Sequence, residues 1–407
     1  MNLKYKVKEF VEKLLSANAI IANIIRNIQE SDGTSYLIGG SVRDALIAGY
    51  SHNVDIKDLD IEVHGVDIEK LKNILSKYGH VNLVGKSFGV LRLSNLNVDW
   101  SLPRTDSIGR KPEVKIDPNM DINQALRRRD LTINSIAINL NNFELIDPFG
   151  GIQDIENKVL RATDENLFKD DPLRFFRIMQ FVSRFKMQPD KNLNKICQLM
   201  DIKYVSKERI ELEFEKMLLK SETPSLGLRW LLEINRLQDI FPELYKTVGV
   251  KQEYKWHPEK DVFEHTMQAL DAAAKLEYKH EQEKLILLYA AICHDLGKPD
   301  ATRVINGVIK RYGHEIVGVQ IAKKLLKRIT SKKDLIDTVL KLVRHHMSPG
   351  TFAKQNAGLG AYKRLAIRLS PETNIEMLTK LAFSDRRGRN GEANVPLDTP
   401  QPEIELF

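Results

Sequence analysis

Apolar positions along this chain change their period near residue 147. Before that point, short apolar runs broken by glycine, asparagine and charge predict strands at 36–38, 81–84, 90–93 and 98–102, with 85–89 as a hairpin-like connection. A helix is expected at 42–47, which makes this stretch an α/β or α+β head. After Asp147-Pro148-Phe149-Gly150-Gly151, a turn-forming break, apolar residues recur every three or four positions, predicting helices at 173–185, 208–219 and 226–235. The periodicity lapses over 245–258 and resumes from Asp261, with helices expected at 263–276, 283–293, 315–329 and 335–343. The tail after Asp385, with Pro396, Pro400 and Pro402, reads as irregular and partly mobile. The pattern divides the chain into a head at 1–147, a helical region at 148–250 and a second helical domain at 251–407.

A length of 407 residues is too much for one core, in keeping with two or three domains. Apolar residues at 42% describe a globular protein, and no apolar run approaches the roughly 20 residues of a membrane span. Residues 1–10 lack the apolar core and cleavage site of a signal peptide, and Cys197 and Cys293 give no disulfide framework, so a reducing, cytoplasmic setting is expected. The net charge of +7 is compatible with a polyanionic partner. Basic clusters at Lys323-Lys324, Lys327-Arg328 and Lys332-Lys333 read as solvated helix faces.

Candidate chemistry begins at Leu37-Ile38-Gly39-Gly40-Ser41-Val42-Arg43-Asp44, followed by Asp58-Leu59-Asp60. A small-residue turn lets backbone N–H groups approach a polyphosphate, and two aspartates one residue apart on a strand share a face. Together they predict a site for Mg²⁺ and a nucleoside triphosphate. In this order the segment resembles the nucleotidyltransferases of the DNA polymerase β superfamily, and within it the class II tRNA nucleotidyltransferase (CCA-adding) and bacterial poly(A) polymerase family. The resemblance implies a polymerase-β-like α+β head followed by an all-α neck and body. Asp58 and Asp60 would hold magnesium, while Gly40 and Arg43 hold the triphosphate. Asp99 reads either as a third carboxylate from an adjacent strand or as a strand-edge aspartate.

Two further segments extend the resemblance. Arg127-Arg128-Arg129-Asp130-Leu131-Thr132-Ile133-Asn134 is similar to the family's second motif, which contacts the sugar and phosphates of the nucleotide, with Arg129 and Asp130 at the matching positions. Asp170-Asp171-Pro172-Leu173-Arg174-Phe175-Phe176-Arg177 is similar to its protein template, placing Asp171, Arg174 and Arg177 against the nucleotide. A carboxylate that accepts and a guanidinium that donates suit cytosine and adenine, whereas uracil and guanine present the opposite pattern. The sequence departs from the family at Asp170, often glutamate, and at Gln180, where arginine can stand. Residues 104–119 read as a mobile loop of the kind that helps the family switch from cytosine to adenine. Val205-Ser206-Lys207-Glu208-Arg209-Ile210-Glu211 resembles the family's last head-and-neck motif.

His265, His294-Asp295 and Asp385 match the H…HD…D pattern of metal-dependent phosphohydrolases called HD domains. His314 and one of His345 and His346, with His345 the first choice, would complete a second metal position. Imidazole and carboxylate suit a divalent transition metal such as Ni²⁺ or Mn²⁺. The whole implies a CCA-adding enzyme using CTP, ATP and tRNA, with hydrolysis of 3′-terminal phosphates. A poly(A) polymerase, and a hydrolase with an RNA-binding head, are the alternatives; the chain is expected to be a monomer or homodimer.

Overall fold

A computed structural model describes residues 3–49, 59–84, 89–106, 114–252, 261–305, 308–310 and 312–389. They form two compact units: residues up to Arg174 together with Gln188–Ile196, and Phe175–Met187 together with the chain from Cys197 on. None of the helices in the described residues is long and apolar enough to cross a membrane.

The first unit is built on a seven-stranded mixed sheet. Its strands are β1 (Thr34–Ile38), β2 (Leu59–His64), β3 (Val81–Val84), β4 (Val90–Leu93), β5 (Val98–Ser101), β6 (Ala137–Asn139) and β7 (Leu145–Ile146), in the order β3-β4-β5-β2-β1-β6-β7. The parallel pairing of β2 with β5 sets Asp60 opposite Asp99, and the antiparallel pairing of β4 with β5 sets Arg92 opposite Asp99. Register therefore places two acidic residues side by side on adjacent strands. Helices α1 (Leu3–Ser16), α2 (Ala19–Gln29), α3 (Gly40–Ile47) and α4 (Ile68–Ser76) accompany the sheet. In α2 the buried residues Ile21, Ile24, Ile25 and Ile28 follow the three-four spacing of one helical face. They join Trp100, Leu37 and Ile61 in the core that fixes the strand ends.

The loop expected at 104–119 is partly ordered: Arg104–Asp106 pairs antiparallel with Val114–Ile116. The β-branched residues Thr105 and Ile116 suit an extended chain, and Ile116 packs on the sheet core. Residues 107–113 of that loop, and most of the connection 85–89, lie outside the described residues. Closing this unit are α5 (Ile122–Arg127), α6 (Glu165–Asp170) and the first residues of α7 (Leu173–Phe185).

The second unit is almost wholly helical. It contains the rest of α7, then α8 (Lys207–Lys220), α9 (Ser225–Glu233), α10 (Val262–Ala274), α11 (Glu281–Cys293), α12 (His314–Ile329), α13 (Lys333–His345), α14 (Ser348–Lys354), α15 (Leu359–Leu369) and α16 (Ile375–Arg387). Caps explain several boundaries. Asp261 accepts from the Glu264 N–H at the start of α10, and Asn374 from the Met377 N–H at the start of α16. The helix carrying Asp385 runs on to Arg387, while residues 390–407 of the expected tail lie outside the described residues.

Candidate functional sites

In the head, the turn between β1 and α3 is set by Gly39, whose φ of +66° favours glycine. A Cβ there would stand 2.6 Å from Arg129 Nη1 and 3.9 Å from Asp60 Oδ2, so the missing side chain is what lets the guanidinium lie against this turn. The Ser41 hydroxyl accepts from the Asp60 N–H at 3.4 Å, tying the strand bearing Asp60 to α3. Asp58 lies outside the described residues. Asp99 is bound by Arg92 through Nε at 2.6 Å. Carboxylates on adjacent strands beside an open turn are a donor set suited to magnesium, which prefers oxygen.

Arg43 is buried at 5% exposure, and its guanidinium points inward to Asn134 Oδ1 at 2.5 Å and to the Asp44 carboxylate. Asn134 Nδ2 in turn donates to Asp130 Oδ1 at 2.8 Å. Residues of the first and second motifs are thus joined by one buried relay, and Asn134 is a member that residue patterns did not single out. Thr132 adds a second anchor by donating to Asp154 Oδ2 at 2.6 Å.

Glu62 was also missed. It lies two residues after Asp60 on β2 and is 2% exposed. Burial opposes its charge, yet the hydrogen bond to His64 and the nearby charges of Arg129 and Arg128 hold its carboxyl below the usual range. An ionised Glu62 beneath the arginine cluster helps fix where those cations stand. Its alternation with Asp60 on one strand face was the available signal.

Arg174 anchors the third motif to the second. Its Nη2 donates to the Arg128 carbonyl at 2.7 Å and its Nη1 to the Leu167 carbonyl at 2.8 Å. Asp171 sits at the head of α7, where its carboxylate accepts from the Leu173 N–H at 3.1 Å. Arg177 belongs to the second unit and lies over the Phe181 ring at 5.3 Å. Gln180 is 1% exposed, so it faces the interior of that unit.

The histidine cluster lies wholly within the second unit. His265 comes from α10, His294 and Asp295 from the end of α11, His314 from the first turn of α12, and Asp385 from α16. The residue that completes the set is His346, immediately after α13, rather than the expected His345. His346 is 3% exposed, and its Nε2 lies 3.1 Å from His314 Nε2. His345 is only half-buried; burial and the charges of Arg344, Arg368 and Lys341 lower its pKa. Adjacent residues leaving a helix end point in different directions, which the sequence alone does not resolve.

Two ligand triads share Asp295: His265, His294 and Asp295 on one side, and Asp295, His314 and His346 on the other. Asp295 Oδ2 lies 3.1 Å from His294 Nε2, while its Oδ1 lies 3.4 Å from His314 Nε2. Asp385 Oδ1 is 2.9 Å from His265 Nε2.

The tautomers test whether metal fits. Backbone carbonyls face Nδ1 of His294 (Ala291, 2.8 Å), His346 (Val343, 2.7 Å) and His265 (Gly388, 3.1 Å). A carbonyl only accepts, so Nδ1 carries the proton and Nε2 directs a bare lone pair inward. His265 and His294 then face each other through Nε2 at 3.3 Å, an arrangement a shared cation relieves. His346 is pushed down to about 3 by burial and by neighbouring His314 and His294, leaving its ring neutral and ready to ligate. Burial opposes charge on Asp295, but His294, Lys298 and His314 hold its carboxyl well below the ordinary range.

Close backbone approach makes the second triad possible. A Cβ on Gly297 would fall 2.1 Å from the His314 carbonyl and 2.6 Å from the Gly318 nitrogen. Glycine after His294-Asp295-Leu296 therefore allows α12 to bring His314 against Asp295.

Comparison with known proteins identifies the domains in which these residues lie. A family model described as Poly A polymerase head domain matches residues 35–161, and one described as HD domain matches residues 262–382. The Multifunctional CCA protein of Mannheimia succiniciproducens is 32% identical over 386 residues, covering 88% of this chain and 84% of that protein. The Multifunctional CCA protein of Pasteurella multocida is 32% identical over 382 residues, covering 91% and 87%. Among solved structures, a CCA-adding enzyme with CTP superposes with a TM-score of 0.62 at 18% identity, covering 98% of this chain and 84% of that one. The Thermotoga maritima CCA-adding enzyme complexed with tRNA gives 0.61 at 18% identity, covering 98% and 88%. The chain belongs to the class II tRNA nucleotidyltransferase (CCA-adding) and bacterial poly(A) polymerase family, in the form with a C-terminal HD domain.

Proposed function

We propose that this chain adds CCA to tRNA 3′ ends from CTP and ATP without a nucleic-acid template, and that its HD domain hydrolyses phosphates at RNA 3′ termini. The observation that carries the first part is the joining of three motifs in one unit: Arg43 to Asn134 and Asp130, and Arg174 to the Arg128 carbonyl, beside Asp60. The names of relatives that align over most of their length support it. We divide the chain into a transferase head at 1–147, a neck and body at 148–250 that receive base and tRNA, and the HD domain at 251–407, acting in the cytoplasm.

In the transfer step the tRNA 3′ oxygen bonds to the α-phosphorus and the bond to the β-phosphate oxygen breaks, releasing pyrophosphate. Asp58 and Asp60 would hold magnesium, whose chemistry there is two-metal activation of the attacking hydroxyl and the leaving group. Gly40 offers close backbone approach to the triphosphate, and Arg129, held against Gly39, supplies positive charge beside it. Arg43, turned inward, braces the turn. Asp171 accepts from an exocyclic amino group while Arg174, fixed on two carbonyls, donates to a ring acceptor. Cytosine and adenine both meet that demand.

In the HD domain, His265, His294, Asp295 and Asp385 would hold one divalent cation, and Asp295, His314 and His346 a second. Such ions supply an activated water and neutralise phosphate charge. Asp295 would serve both, since its Oδ2 lies beside His294 and its Oδ1 beside His314, and Lys298 Nζ, 2.5 Å from Asp295 Oδ2, keeps it oriented.

The test supplies a tRNA lacking its 3′ end with CTP, ATP or both and reads product length. Three added nucleotides followed by arrest support the proposal. A long adenosine ladder would instead identify a poly(A) polymerase, and no incorporation would leave the head without this activity.

A further inference from the structure

Between Asp337 and Glu372 the chain carries six Lys or Arg residues (Lys341, Arg344, Lys354, Lys363, Arg364 and Arg368) and no Asp or Glu. The chain as a whole holds 62 basic and 55 acidic residues, so a stretch of six cations without an acid carries a local positive field. The segment runs from the second half of α13 through α14 and α15. Helix α15 is held mainly through Leu365 and Leu369, its two buried residues, and leaves the rest of its surface open. Lys363, Arg364 and Arg368 are exposed on α15, and Ile367 beside them is 74% exposed.

The two helices meet at their C-terminal ends, where Lys341 donates to the Ser370 carbonyl at 2.9 Å and pairs with Glu372. Glu372 is thereby committed to Lys341. Arg344 lies one turn beyond Lys341, and Arg344 and Arg368 both stand near His345. The next residue is His346 of the buried histidine cluster. One end of the cationic face is therefore adjacent in the chain to the candidate metal centre.

We propose that the face formed by Arg344, Lys363, Arg364 and Arg368 docks the phosphate backbone of the RNA strand whose 3′ end enters the His/Asp cluster. This assignment rests on the phosphohydrolase reading of that cluster. Three of the four cations are arginines, whose planar guanidinium engages phosphate oxygens in pairs. Arg364 and Arg368 are one helical turn apart on one side of α15, an alignment that follows a strand rather than a single anion. Ile367 offers an apolar contact for a ribose or base between them. Contacts of this kind are independent of sequence and sensitive to salt.

The experiment uses the full-length, metal-loaded protein and two probes: a labelled tRNA ending in a 2′,3′-cyclic phosphate, and 2′,3′-cyclic AMP. With Ile367→p-benzoylphenylalanine, irradiation should cross-link the tRNA, and R344E/R364E/R368E added to the same chain should abolish the cross-link. In the hydrolysis assay the triple variant should raise KM for the tRNA at least about tenfold and flatten the salt dependence of binding by about 2 in logarithmic slope, at roughly 0.7 per phosphate lost. Hydrolysis of cyclic AMP should stay within about twofold of the parent, because the three residues lie outside the cluster.

No cross-link at Ile367 overturns the proposal, as does equal loss of tRNA and cyclic AMP hydrolysis, which would mark a structural defect. Binding to phosphatidylserine vesicles without an RNA cross-link would reassign the face to a membrane surface. A cross-link in a protein that hydrolyses neither probe keeps the docking surface and removes the phosphohydrolase reading.

Discussion

The two sites solve opposite problems of preorganisation. In the head, Asp60, Asp99, Arg129, Asp171 and Arg174 are all partly exposed, while the relay of Arg43, Asn134 and Asp130 that joins the first two motifs is buried. In the HD domain the ligands themselves are buried: His265 and His294 are at 0% exposure and Asp295 at 1%. A nucleotide and an RNA end must enter and leave the first site, so its reactive groups face outward and rigidity is supplied one layer below. A metal ion is small and fixed, so a site proposed to hold one can close over its ligands and use backbone carbonyls to orient them. On the proposed function, the buried polar groups serve as positioning struts in one unit and as the binding site itself in the other.

The largest effect expected from this contrast is a reciprocal separation of activities. Asp60→Ala should lower nucleotide incorporation by on the order of 10³-fold while leaving HD hydrolysis intact, and Asp295→Ala should do the reverse. Incorporation and phosphate release measured on the same preparations would show it. Loss of both activities in either variant would mean the sites are not independent.

A smaller effect separates the struts from the reactive groups. Arg174→Ala should relax discrimination against UTP and GTP by about 1–3 kcal/mol, the scale of one paired base contact, read as the ratio of kcat/KM values. Unchanged selectivity would move base reading elsewhere. In the HD domain, Gly297→Ala should destabilise the fold by about 1–3 kcal/mol, because the added Cβ meets backbone rather than a movable side chain. Its signature is a lower metal stoichiometry by calorimetry, since His314 can no longer approach Asp295.

Motifs that are contiguous in the chain were legible, and contacts between motifs were not. Gly39-Gly40 could be read from local turn chemistry, and Arg129, Asp171 and Arg174 followed from the resemblance of two contiguous segments to the family's motifs. The Arg43–Asn134–Asp130 relay joins residues 91 positions apart in its first step, and Arg174 reaches Arg128 across 46, so no periodicity announces either. Glu62 was hidden as an ordinary strand residue. In the HD domain the candidate ligands followed from resemblance to the H…HD…D pattern, but choosing His346 over His345 required the direction in which the chain leaves α13. The structural consequence of Gly297 was equally invisible, because it depends on how closely α12 approaches.

A further effect is expected on acid stability. His346 in the folded, metal-free protein gains a proton only near 3, whereas an unfolded histidine does so near 6.5. Between these values the unfolded state binds more protons, so folding stability rises with pH and is lost as pH falls below about 6.5. Asp295 and Asp385, both depressed, add their own loss only below about 4. Melting temperature of the metal-stripped protein should therefore already decline between about pH 6.5 and 4.5, and His346→Asn should flatten that limb. A slope identical in the variant would exclude His346 as its source.

The separation of the two chemistries meets its most direct test on one substrate pair: tRNA lacking its final nucleotides and ending either in a 2′,3′-cyclic phosphate or in free hydroxyls. With CTP, ATP and divalent metal, the wild-type chain should extend both, since successive hydrolysis of the cyclic diester and the resulting monoester exposes the hydroxyl that the head requires. Asp295→Ala should extend the hydroxyl-ended tRNA by three nucleotides and leave the cyclic end untouched. Equal extension of both substrates by Asp295→Ala, or of neither by the wild type, would contradict the account.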